Sequence, residues 1–216
     1  MKRKIIGLLA IVLIGLACAS IAVTEHRLTT LEQGILRLHI LANSDSDIDQ
    51  ILKIQVRDAL LAQSEMWMYQ ANSEAEAAWQ IQRHLDAIKM IAVRTLRENG
   101  CADTVKAMLC DTYFPVRTYG NVTLPAGIYH ALRIEIGAAE GHNWWCVMYP
   151  SLCVPAVSCD AKTQMSDEFD ASICDMTENP SRYTVRFKCV EIVRGIRRYA
   201  FEHLTEEIVM ENDDTI

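Results

Sequence analysis

A basic start, Met1-Lys2-Arg3-Lys4, leads into nineteen residues, Ile5 to Val23, that carry no charge. No other feature restricts this chain as much. In hydrocarbon a backbone must satisfy its N–H and C=O groups internally, which leaves a helix as the only option for a single segment. A helix of this length rises roughly 28 Å, close to a hydrocarbon core of about 30 Å. The cations stay on the cytoplasmic side while the apolar run enters the bilayer. Residues 1–23 therefore read as a signal peptide or a membrane anchor. Ala17-Cys18-Ala19 offers the small residues that favour cleavage after Ala19; without cleavage the segment is a single anchor. A lipid on Cys18 is disfavoured, because Gly15-Leu16-Ala17 lacks the usual branched apolar residue upstream. The chain beyond Val23 is expected outside the cytoplasm.

Residues 24–34 read as a polar linker and 35–216 as one globular domain, long enough to bury a core without a metal. A net charge of −7 and a pI near 5.4 exclude a nucleic-acid partner, which needs a basic face. Membrane contact is expected only through the N-terminal segment. The chain has eight cysteines. No Cys-x-x-Cys and no His pair at helical spacing accompanies them, so no metal and no cofactor is expected. In an extracytoplasmic compartment disulfides are available.

Leu36, Leu38 and Ile40 alternate with Arg37 and His39, which predicts a strand with one apolar and one polar face. Ala42 to Asp47 is a turn and helix-cap cluster in which Ser46 or Asp47 can cap. Ile48, Leu52, Val56 and Leu60 then give a helical stripe, and Ser73 with Glu76 opens a second helix that ends at Asn99-Gly100. Strands are predicted over Thr104 to Phe114, Tyr129 to Ile136 and Asn143 to Tyr149. Residues 154–181 read as an acidic irregular excursion. Beyond it, an element from about Tyr183 to Glu207 carries Ile192, Val193, Ile196, Ala200 and Leu204 at helical spacing, and Tyr183 to Phe187 fits either its start or a short strand ahead of it. The fold class expected is α+β: a mainly antiparallel sheet with helices on one face, after the N-terminal export or anchor helix.

Three groupings carry chemistry. His142, Asn143 and Cys146 stand close in sequence, but in a strand His142 and Cys146 are roughly 13 Å apart, so Cys146 reads as a core cysteine rather than a nucleophile. Pro150 between Cys146 and Cys153 favours a turn that pairs these sulfurs, and a loop this short would stabilise the fold by about 2.5 kcal/mol. Cys101 and Cys110 are a second candidate pair. His39 with Asp45 or Asp47 has the composition of an acid–base set, yet Asn43 to Asp47 are first of all turn and cap residues. Trp144 and Trp145 point to opposite strand faces, one for the core and one for another layer or a partner. Asn121-Val122-Thr123 matches a glycosylation acceptor by chance.

Arg37-Leu38-His39-Ile40-Leu41-Ala42-Asn43-Ser44-Asp45-Ser46, with Asp49-Gln50 and Lys53 to Asp58, resembles the N-terminal block of the stage II sporulation protein R family. Pro125-Ala126-Gly127-x-Tyr129 with Ala131 to Ile134 resembles its second block. Gly141-His142-Asn143-Trp144-Trp145-Cys146-Val147-Met148-Tyr149-Pro150-Ser151-Leu152-Cys153 resembles its third. The blocks stand in family order over most of residues 35–153. The resemblance implies an intercellular signal rather than an enzyme, without catalytic residues or cofactor. Such a protein is made in the forespore and exported, secreted or N-terminally anchored, into the space between the two membranes around it. There it triggers a membrane-embedded aspartic protease of the mother cell that processes the precursor of sigma factor E. His39, Asn43, Asp45, Trp144 and Trp145 are the expected partner-binding residues. The competing reading is an exported envelope hydrolase using Cys146 or His39.

Overall fold

The computed structural model describes residues 2–68, 70–150 and 161–196. The chain divides into two compact units, Thr30–Glu178 and a second made of Met1–Thr29 with the residues from Asn179 onward.

Helix α1 runs from Lys2 to Gln33 and is long and apolar enough to cross a membrane, with a mean hydropathy of 2.8 over its most apolar stretch. It continues through the expected 24–34 linker. Val23 to Gln33 holds neither proline nor glycine, so nothing in it ends a helix. Gly34, whose N–H donates to Thr30 O at 3.0 Å, closes it.

In the unit Thr30–Glu178, four strands form a sheet in the order β2-β5-β1-β6: β1 Leu36–Leu41, β2 Val105–Phe114, β5 Gly127–Ile136 and β6 Asn143–Tyr149. The β2–β5 and β1–β6 ladders are antiparallel, whereas β1 runs parallel to β5. Helices α2 (Asp47–Ala62) and α3 (Glu74–Glu98) pack on one face. Leu38, Ile40, Leu132, Ile134, Cys146 and Met148 meet Val56, Ile81 and Ile88 there. Each large aliphatic side chain buried in this layer contributes about 2 kcal/mol. Ser46 caps α2 by accepting from Asp49 N at 3.2 Å, and Ser73 caps α3 by accepting from Glu76 N. Gly100, at φ +75°, ends α3, and Cys101 N reaches back to Leu96 O at 2.9 Å.

The other sheet face is not the wet face that Arg37 and His39 predict. Both are buried, at 0% and 3% exposure. β1 is a central strand, and a short hairpin of β3 (Arg117–Tyr119) and β4 (Val122–Leu124) brings Tyr119 onto its polar side chains. Of the expected irregular excursion over 154–181, residues 154–160 lie outside the described residues, and the rest holds two helices, α4 (Ala161–Glu168) and α5 (Ala171–Glu178), with α5 packed against β4. Their buried residues Met165, Phe169, Ile173 and Met176 recur at helical spacing among acidic neighbours, which is what hid them. In the second unit, residues 184–196 are helical, so Tyr183 to Phe187 is not a strand.

Candidate functional site

The first and third sequence blocks meet where β1 ends and β6 begins. Ala42 to Asp47 leaves β1 beside Gly137 to His142, and the two loops are stitched by backbone and side-chain bonds. Gly141 N donates to Ala42 O at 3.0 Å and Glu140 N to Asn43 O at 3.2 Å. Asn43 accepts from Ala138 N at 2.9 Å and donates through Nδ2 to Asp49 Oδ2 at 3.0 Å. Ser44 Oγ donates to the same Asp49 oxygen at 2.5 Å. These bonds from Ser44 and Asn43 hold the Asp49 carboxyl below the ordinary carboxylate range. Lys53, buried on α2, spends its ammonium on Gln50 Oε1 at 2.5 Å and His142 O at 2.8 Å. Asp45 bonds both the backbone N–H and the ring Nδ1 of His142. These two side chains are exposed, 55% for Asp45 and 76% for His142, and Ile48 and Ile51 are exposed on the first turns of α2, which begins two residues after Asp45.

Behind this seam lies a buried polar layer on the hairpin side of the sheet. The Arg37 guanidinium stacks over Phe114 at 4.2 Å and Tyr129 at 4.9 Å. Its Nε donates to Cys146 O at 3.0 Å and its Nη2 to Tyr119 OH at 2.8 Å, while Nη1 is buried without a partner. Burial lowers its pKa from the ordinary arginine value. His39 stacks on Trp145 with centroids 3.9 Å apart, and Phe114 meets the Trp145 ring edge-on at 4.7 Å. His39 Nε2 lies 2.7 Å from Asn143 Oδ1, an acceptor, so the proton sits on Nε2 and the buried Nδ1 is left without a partner. Desolvation brings the His39 pKa down to about 4; the Asn143 bond and Glu135 oppose this and Arg133 adds to it. His39 is neutral at pH 7.

Of the five residues expected to bind a partner, Asn43 and Asp45 sit in the seam, and His39 and Trp145 in the layer behind it. Trp144 faces the helices, where the Arg57 guanidinium lies 4.2 Å from its ring centroid. The two tryptophans do take opposite faces, through their register with Ile40 and His39. His39 does not pair with Asp45, whose partner is His142. Cys146, on the helix side of the sheet, lies across it from His39 and is disulfide-bonded rather than a thiol. Cys153, its expected partner, is outside the described residues. Cys101 and Cys110 are both free. Among the described residues no group of three His, Cys, Asp or Glu is arranged to hold a metal.

The periodicity of β1 missed the Arg37 cage and the Asp45–His142 pair, because both depend on non-local partners.

No solved structure matches the chain. The model of the stage II sporulation protein R family matches residues 32–159, more than half of the sequence. A stage II sporulation protein R of Bacillus subtilis (strain 168) is 40% identical over 147 residues, covering 68% of this chain and 66% of that relative. The chain thus spans a little under two thirds of the relative's length. The match encloses β1, β6 and both stitched loops, and by these two likenesses the chain belongs to the stage II sporulation protein R family.

Proposed function

We propose that this protein is an exported signal in sporulation that activates, by contact, a membrane-embedded aspartic protease processing the precursor of sigma factor E. It acts from the space between forespore and mother cell, either released from α1 or held by it. The observation that carries the reading is the seam itself. Two distant sequence blocks are fastened rigidly together and present Asp45, His142, Ile48 and Ile51 outward, a mixed polar and apolar patch on a fixed frame. Rigid presentation of a few exposed groups is what recognition requires. His39, Asn43, Trp144 and Trp145 contribute by holding that frame. The Cys146–Cys153 bond, which we propose closes the base of β6, does the same. Family membership and an apolar N-terminal helix compatible with export or anchoring support the sporulation setting.

The hydrolase alternative has less to stand on. His39 and Cys146 lie on opposite sheet faces, and the His39 ring is enclosed. The test is Asp45→Lys and Ile51→Glu in sporulating cells, read by immunoblot of the sigma factor precursor, with the exported protein's level and melting curve as controls. Loss of processing at unchanged level and fold is expected. Full processing in both variants, or no binding of purified protein to the protease's membrane domain at micromolar concentration, would rule the contact reading out.

A further inference from the structure

Residues 184–196 carry an apolar stripe that nothing in the described structure covers. Val185, Ile192 and Ile196 are exposed, at 76%, 61% and 63%, and Cys189 lies between them. At 100° per residue these four side chains fall within about 60° of one another on the helix surface. Lys188 borders the stripe on one side and Arg186 on the other. The opposite side holds Val190, 1% exposed, and Arg194. Arg194 Nη2 donates to Thr29 Oγ1 at 3.2 Å, and its Nε lies 3.8 Å from the Glu25 carboxylate. The apolar run of α1 ends at Val23, so these contacts fall about 3 and 9 Å of helix rise beyond it. Tyr183 and Phe187 stack at 6.0 Å, with Arg186 over the Tyr183 ring at 5.5 Å. Amphipathic aromatics beside cations are favoured at headgroup level.

We propose that residues 184–196 form an interfacial helix that lays Val185, Cys189, Ile192 and Ile196 into an anionic bilayer surface, at the point where α1 leaves the membrane. The inference rests on reading α1 as a membrane-entering segment and adds a second, in-plane contact to it. The stripe supplies the buried apolar area, and Arg186 flanks it where lipid phosphates lie, while Lys188 on the other border is ion-paired with Glu191 at 2.6 Å. Arg194 turns the opposite face to α1, so the stripe is the side left for lipid.

The full chain, reconstituted in vesicles of phosphatidylcholine and phosphatidylglycerol at 7:3 with a diazirine-bearing lipid, is photolysed and its adducts mapped by mass spectrometry. Adducts are expected at Val185, Cys189, Ile192 and Ile196, with adducts on Ile5 to Val23 marking insertion of α1. The double variant Ile192→Glu/Ile196→Glu should lose the first set and keep the second. Arg186→Gln should lower the first set roughly fivefold, as should replacing phosphatidylglycerol with phosphatidylcholine for each cation engaged. Adducts on α1 with none on 184–196 would overturn the proposal, as would adducts centred on Val190 and Arg194. A dimer cross-linked through Ile192, showing that a second copy covers the stripe, overturns it too. No adduct anywhere overturns the membrane reading of α1 along with it.

Discussion

Replacing Gly141 by alanine tests the seam where the two sequence blocks meet. A Cβ at this position would lie 2.5 Å from Ser44 C, in a backbone that cannot rotate away, and 3.0 Å from Ala42 Cβ. One loop must move. Five bonds cross the gap: Gly141 N to Ala42 O, Glu140 N to Asn43 O, His142 N and His142 Nδ1 to Asp45 Oδ1, and Ala138 N to Asn43 Oδ1. At about 1 kcal/mol net for each hydrogen bond, a shift that severs two or three costs about 2–3 kcal/mol. That is a large part of a domain stability of about 5–15 kcal/mol. The control is Gly100→Ala, at φ +75° with open space around it, where only backbone strain of about 1 kcal/mol applies. Urea unfolding followed by tryptophan fluorescence gives both numbers, since Trp144 and Trp145 adjoin the seam in β6. Gly141→Ala should unfold at clearly lower urea than Gly100→Ala, with the slope unchanged. If the two variants are equally stable, the loops do not pack as closely as described and the seam is no rigid frame.

His39 makes stability depend on pH. Its folded pKa of about 4 lies below the unfolded value of about 6.5, so the unfolded chain takes up the proton first. The contribution is complete above pH 6.5 and is lost as pH falls toward 4, by about 3 kcal/mol; urea titrations of wild type and His39→Phe should differ by that component, and parallel curves would refute it. Arg37→Ala should cost about 3 kcal/mol or more, through a cavity and the lost bonds to Tyr119 OH and Cys146 O, while Arg37→Met should cost less because the longer side chain fills much of that cavity. Thermal melts that rank the two the other way would refute the cage description. Trp145→Ala, which strips the stacking from His39 and Phe114, should destabilise by about 3 kcal/mol in the same assay. Alkylation of unreduced, denatured protein should modify both Cys101 and Cys110, and a disulfide-linked peptide joining them would refute their being free.

The sequence alone determined the local features, because each is fixed by neighbours a few residues away. The charge-free run from Ile5 to Val23 must be a helix in lipid. Ser46 and Ser73 cap helices with their own side chains, and Asn99-Gly100 stops one by its backbone conformation. The alternation in β1 set which of its residues face α2 and α3. The order β2-β5-β1-β6, with β1 parallel to β5, was decided only by the tertiary structure, since strand order depends on partners far apart in the chain. That order puts β1 in the centre, and so turns Arg37 and His39 from a polar surface into a buried layer. It also gives Asp45 to His142 rather than to His39, and Cys146 to the face opposite His39. Residues 161–178 were hidden for a related reason: an acidic composition marks exposure on average, whereas burial of Met165, Phe169, Ile173 and Met176 depends on what α4 and α5 pack against.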